Sequence, residues 1–131
     1  MKNLFKTALL LTAAILLAVP AIAFPDVNAN HWAAKQIEIL NEKGVIIGYP
    51  DGTFQPDDNV TRAEFASMAI KALGQQHTQV VQPVNFTDIN KDYWAYDAIQ
   101  KALYFDLISC PPQGQAFRPD DTVSRAESIS V

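Results

Sequence analysis

Thr61-Arg62-Ala63-Glu64 returns as Ser124-Arg125-Ala126-Glu127, and this recurrence decides the fold. Upstream of the two tetrads the match continues at the same spacing, with Phe54, Pro56, Asp57 and Asp58 falling on Phe117, Pro119, Asp120 and Asp121. Allow one extra residue in the second copy, and Phe24-Pro25-Asp26-Val27 falls on Phe86-Thr87-Asp88-Ile89, 62 residues on. At that offset Asn28 meets Asn90, Trp32 meets Trp94, Ile37 meets Ile99, and Val45-Ile46 meets Leu107-Ile108. Both of the chain's tryptophans lie in register, so the sequence is an internal repeat.

Each copy reads as helix, loop, helix, which predicts an all-α fold of tandem helix-loop-helix units. In the first copy Asn30 is placed to cap a helix whose apolar stripe is Trp32, Ala33, Ile37 and Leu40, stopped at Lys43-Gly44. In the second, Asp92 takes the cap and the stripe is Trp94, Ala95, Ala98, Ile99, Ala102 and Leu103. The first loop, Val45 to Pro56, contains Pro50-Asp51-Gly52, a turn signal that brings its flanks together in a hairpin-like loop. The second copy spells this loop Ile108-Ser109-Cys110-Pro111-Pro112-Gln113-Gly114, which predicts a looser turn. Both second helices open with a capping box, Thr61 with Glu64 and Ser124 with Glu127. In the first copy Phe65, Met68, Ala69, Ala72 and Leu73 form the expected apolar face, and Gly74 ends the helix. The second copy reaches Val131 about two turns into its helix, with Ser128 in place of Phe65. That predicts an underfilled face and a truncated chain: a fragment, an early stop or the head of a longer protein.

Lys2 and Lys6, the apolar run from Ala8 to Val19, Pro20 and Ala21-Ile22-Ala23 have the order of a signal peptide cleaved after Ala23. The run is short for a membrane span, which needs about 20 residues, although an uncleaved anchor is the alternative. The expected organisation is a signal peptide at 1–23, repeat one at 24–74, a linker at 75–85 and repeat two at 86–131. The protein is expected to be exported and associated with the wall of the cell envelope, at the cell surface or in the periplasm. Without Lys2 and Lys6, eight of the ten basic residues face 14 acidic ones, a formal charge of −6. That speaks against nucleic acid as a partner. Cys110 is the single cysteine, so it is either a small loop residue or an intermolecular thiol, with no internal disulfide.

The residues Phe24-x-Asp26-Val27 with His31-Trp32, then Gly48-Tyr49-Pro50-Asp51-Gly52-Thr53-Phe54-x-Pro56, then Val60-Thr61-Arg62-Ala63-Glu64-Phe65 resemble the S-layer homology (SLH) domain. The first copy matches throughout; the second matches at both ends, departs in its loop and is cut short. The resemblance implies helical modules, commonly three to a pseudo-threefold unit, with ligand grooves between neighbouring repeats. It implies non-covalent binding of cell-wall polysaccharide, either a pyruvylated secondary polymer or a peptidoglycan-linked glycan, and no cofactor. It also implies that the arginine of the Thr-Arg-Ala-Glu motif touches the ligand, here Arg62 and Arg125.

Arginine suits such a ligand, because guanidinium takes a pyruvyl carboxylate through two parallel hydrogen bonds. At the first helical position it stands beside free backbone N–H groups and the positive end of the helix dipole. The alternative is an exposed cation paired with Asp57 or Asp58. Trp32 and Trp94 either stack on a sugar face or pack the first helix on the second. The glycan-binding candidates are therefore Arg62, Arg125, Trp32, Trp94 and Gly48, with Arg62→Ala expected to weaken wall binding and spare the helical signal. Thr61, Glu64, Ser124 and Glu127 are structural caps.

Asp88, Asn90 and Asp92 resemble the start of a calcium loop, but its sixth and twelfth positions hold Tyr93 and Ile99, so capping and turns explain them better. His31 and His77 have no ligand-spaced partners, and no nucleophile or phosphate-loop motif is present. A wall-binding module is the expectation, not an enzyme. Two other roles stay open: a self-associating or targeting head of a longer surface-layer or porin-type protein, and the binding appendage of a wall-active enzyme.

Overall fold

The computed structural model describes residues 24–109, 111–112 and 114–129. The signal-peptide reading of residues 1–23 and the readings of Cys110 and the last two residues lie outside it. Four helices appear in chain order: α1 (Ala34–Glu42), α2 (Arg62–Ala72), α3 (Tyr96–Tyr104) and α4 (Arg125–Ile129). Each repeat contributes two. Among the described residues there is no strand ladder, only an isolated antiparallel bridge between Thr61 and Thr122.

The first helix of each repeat starts later than its sequence suggests. α1 is preceded by Ala33 and α3 by Ala95, neither with a side-chain cap. Asn28 and Asn90 use their side chains instead to close turns, accepting from the N–H groups of Asn30 (2.8 Å) and Asp92 (2.9 Å). The chain enters each helix through a further turn, Ala34 N–H to the His31 carbonyl and Tyr96 N–H to the Tyr93 carbonyl, both 2.9 Å. Trp32 and Trp94 sit in these turns rather than on a helical stripe. They are 85% and 64% exposed, so the expectation that they pack the core is overturned. The stop at Gly44 is as read: its φ of 68° lets Val45 N–H return to the Leu40 carbonyl at 2.9 Å.

Two apolar clusters hold the fold. Phe24, Val27, Ile37, Val45 and Ile46 form one within repeat one, with Phe54 and Met68 packed against it. The other joins the repeats: Ala63, Ala66 and Ile70 of α2 meet Ile89, Ala95, Ile99, Ala102, Leu103, Leu107, Ile108 and Phe117 of repeat two. The spacing Ala63, Ala66, Ile70 is one helical stripe, and its two alanines let α3 approach closely. This corrects the expected face of α2. Leu73 and Ala72 are exposed, while Phe65 and Ala69 only flank the shared core. α2 is thus the wedge between the repeats, with Met68 turned to the first cluster and its small residues to the second.

The Phe-x-Asp signature has a structural task that neither capping nor calcium explains. The Asp26 carboxylate accepts from the N–H groups of Phe54 (2.9 Å) and Gln55 (2.6 Å). Asp88 does the same for Phe117 (2.8 Å) and Arg118 (2.7 Å). Each clamp holds the second of these residues in the left-handed region, Gln55 at φ 56° and Arg118 at φ 60°. The neighbouring rings then pair, Phe24 with Phe54 at 5.3 Å and Phe86 with Phe117 at 5.4 Å between centroids. Gly48, at φ 69°, lies so close to this assembly that a Cβ would stand 2.5 Å from the Thr53 carbonyl oxygen and nearer still to the Phe24 ring.

Candidate functional site

Repeat two reaches back to finish the start of α2. The first N–H groups of a helix have no partner within it; here Arg62 N–H donates to the Asp121 carbonyl (2.9 Å) and Ala63 N–H to the Pro119 carbonyl (3.0 Å). Glu64 N–H donates to Thr61 Oγ1 (3.2 Å), and Thr61 N–H to Glu64 Oε2 (2.9 Å), which completes the capping box. The donors expected to be free for an anion beside Arg62 are therefore already taken, a difference that arises because repeat two lays its own carbonyls there.

Arg62 is 4% exposed. Its Nε donates to the Phe117 carbonyl at 3.0 Å, its Nη1 to Glu127 Oε1 at 2.5 Å, and its guanidinium lies 4.7 Å from the centre of the Phe117 ring. Its carboxylate partner is Glu127 of the other repeat, not Asp57 or Asp58. Glu127 also serves its own box, since Ser124 N–H and Oγ donate to Glu127 Oε2 at 2.9 and 2.7 Å. Those Ser124 donors, with Arg62 and Arg118 nearby, hold the Glu127 carboxyl below its ordinary value. In repeat one the matching carboxylate, Glu64, accepts from Tyr49 Oη at 2.7 Å. That bond pushes the Tyr49 hydroxyl up to about 12. Burial raises the Glu64 carboxyl, but the Thr61 and Tyr49 donors outweigh it and the net shift is downward.

Beside this junction is a cleft of about 480 Å³ between the repeats, lined by Arg62, Arg118 and Glu127 with Ser109, Gln115 and the Pro111-Pro112 edge. Arg118 is the exposed cation here. Asp88 fixes its backbone, and its Nη1 stands 3.4 Å from the exposed Asp121 carboxylate. Exposed pairs of this kind contribute little, so Arg118 can exchange its partner for an anion in the cleft. The sequence reading missed Arg118, although its place next to Phe117, bound by Asp88, was marked by the Asp26 to Phe54 pair, whose spacing of 28 residues is one short of the 29 in repeat two.

The other candidates lie apart from one another. Arg125 opens α4 and is exposed, Gly48 sits half-buried in the first loop, and Trp32 and Trp94 occupy equivalent turns of different repeats. Each tryptophan leans on the ring before it, Trp32 on His31 at 5.7 Å and Trp94 on Tyr93 at 5.9 Å. Among the described residues no group of three His, Cys, Asp or Glu side chains is placed to hold a metal ion, and no helix is long and apolar enough to cross a membrane.

Two exposed-loop helical repeats, paired through the second helix of one and the first helix of the next, define a repeat module with a polar cleft at its seam. The family model for the S-layer homology domain matches residues 23–66 and 85–127, and the chain belongs to that family. It is 36% identical over 114 residues to a cellulosome-anchoring protein of Acetivibrio thermocellus, covering 85% of this chain and 25% of that protein. It is 39% identical over 109 residues to an S-layer protein of Bacillus licheniformis, covering 83% and 12%. It is 32% identical over 106 residues to an endo-1,4-beta-xylanase A of Thermoanaerobacterium saccharolyticum, covering 81% and 9%. The chain spans a quarter or less of the length of these relatives.

Proposed function

We propose that this chain fastens a protein to the cell surface by gripping an anionic cell-wall polysaccharide in the cleft between its repeats. Attachment at the cell surface is the part that family membership and the relatives named for anchoring and for S-layers support. The small share of a xylanase that the chain covers fits a non-catalytic module carried beside other domains. The polysaccharide reading is finer, and one observation carries it: two arginines of different repeats converge on the same cleft of an otherwise acidic protein. Arg62 there is a strut that sets the cleft's wall, its charge met by Glu127, and Arg118 is the cation that meets the ligand. Trp32 and Trp94, both exposed, offer flat apolar faces to sugar rings further along the surface. Arg125 holds in repeat two the place that Arg62 holds in repeat one.

The test is a pull-down of the full chain on purified wall sacculi, with and without chemical removal of the attached polymer. Binding is expected to vanish on stripping, and to fall in Arg118→Gln, which writes into repeat two the residue at the matching place, Gln55. Equal binding to stripped and intact sacculi would refute polymer recognition.

A second reading, self-association through the repeats, is favoured by an asymmetry. Leu40 is 37% exposed while its counterpart Ala102 is covered by α2, and Ala126 is exposed while its counterpart Ala63 is buried. Part of the face that joins the two repeats thus recurs uncovered, at Leu40 on α1 and Ala126 on α4, where a like unit could seat head to tail. Sedimentation across a range of concentrations tests it, and a mass that stays monomeric would rule it out.

A further inference from the structure

On the far side of α3, between that helix and the segment joining the repeats, lies another cleft of about 480 Å³. Its walls are pinned. The buried Gln100 side chain spans the backbone of Val84, with Val84 N–H donating to Oε1 and Nε2 donating to the Val84 carbonyl, each at 2.8 Å. Lys101 Nζ donates to the Gln76 carbonyl at 2.6 Å. The joining segment is therefore tied along α3 rather than looping free. Lys91, Lys101 and His77 line the space, with Asp97 the one carboxylate among the lining residues, and Tyr96 and Thr78 add a ring and a hydroxyl. The lining is thus locally cationic on a chain whose formal charge is −4.

The repeat supplies an internal control. The positions matching Lys91, Tyr96, Asp97, Gln100 and Lys101 are Ala29, Ala34, Lys35, Glu38 and Ile39. Repeat one builds the same helix in the same fold without any of the second repeat's choices. Gln100 and Lys101 answer to the joining segment that they tie, whereas Lys91 is exposed and takes no part in that tie.

We propose that this cleft is a second saccharide site, taking a sugar that bears an anionic group, with Lys91 and Lys101 on the charge and Tyr96 and Thr78 against the sugar. Ammonium groups act here as point charges rather than as a planar fork, so the site selects for charge more than for the shape of the anion. At an open surface their attraction falls with added salt. The wall-polymer reading supplies only the natural source of such a sugar. The site itself is separate from the cleft between the repeats.

The experiment is an NMR titration of the full chain with glucose 1-phosphate, glucuronate and glucose. The expected result is saturable movement of the amide signals of residues 77–80 and 96–101 with either charged sugar and not with glucose, the tighter of the two naming the preferred anion. Lys91→Gln, an exposed change, is expected to weaken that binding about threefold to fivefold at unchanged Tm. Arg118→Gln is expected to leave these shifts intact while lowering binding to sacculi, so the two sites fail separately. No saturable shift up to about 20 mM sugar, equal shifts with glucose, or an unchanged affinity in Lys91→Gln would overturn the proposal.

Discussion

Replacing Arg62 by alanine removes a side chain that ties α2 to both the loop and the last helix of repeat two. Three interactions go together: the Nε bond to the Phe117 carbonyl, the pairing with Glu127, and the stacking over the Phe117 ring. Losing one partner of a fully buried ion pair costs about 3–5 kcal/mol. Glu127 keeps a third of its side chain exposed and its own Ser124 donors, so water can take over part of the loss. The expected cost is about 2–3 kcal/mol, the sum of a charged hydrogen bond and a cation–π contact. For a domain of this size that lowers Tm by about 10 °C. Thermal melts followed by far-UV circular dichroism, with urea titrations for the free energy, read it directly. Arg62→Lys keeps the charge and loses the Nε bond and the planar stack, and falls between the two. A Tm within about 3 °C of the unsubstituted protein, with binding to sacculi abolished, would refute the strut and return Arg62 to the ligand. The sequence alone led to that opposite expectation, an intact fold with binding lost.

Gly48→Ala is expected to cost about 1–3 kcal/mol, because it puts a Cβ at positive φ and against the Phe24 ring and the Thr53 carbonyl; a urea midpoint unchanged from the parent would count against the close approach. Acid should unfold the protein through its clamped carboxylates. Asp26, Asp51, Glu64 and Glu127 are all held below their ordinary values in the fold. Burial opposes this at Asp26, where the Gln55 and Phe54 donors outweigh it, and the Thr53 donors act at Asp51. The unfolded chain then binds protons more tightly than the native one. Their stabilisation is complete above the unfolded values near about 4 and drains as pH falls through the lower native ones. Melting temperature should be flat from pH 6 to 8 and fall below about pH 4; a Tm that held or rose between pH 5 and 3 would contradict it.

The repeat, the helix stops and the capping boxes were legible because each is written within four residues or by self-comparison. Thr61 with Glu64 and Gly44 after Lys43 act on their own helices, so local spacing suffices. What was not legible depends on partners far along the chain. Arg62 looked like an open helix-start cation because its partners, Phe117 and Glu127, lie 55 and 65 residues away. The tryptophans looked like core because they fit a helical spacing, but Asn28 and Asn90 spend those residues on turns and the stripe never forms there. The α2 face was misassigned because its bulky residues drew attention from Ala63 and Ala66, whose small size is what the neighbouring helix needs. Asp26 and Asp88 did carry a readable signal: each precedes its Phe by nearly the same interval, a pairing that neither a cap nor a metal loop explains.

The carbonyls that complete the start of α2 belong to Pro119 and Asp121, more than fifty residues downstream. This sets an order on the birth of the fold. A polypeptide that emerges N-terminus first presents repeat one long before those residues arrive, so the first donors of α2 stay on water and Arg62 is without its carboxylate. Contacts of such sequence separation close late. The first half of the module therefore gains its last contacts only after the second half has been made.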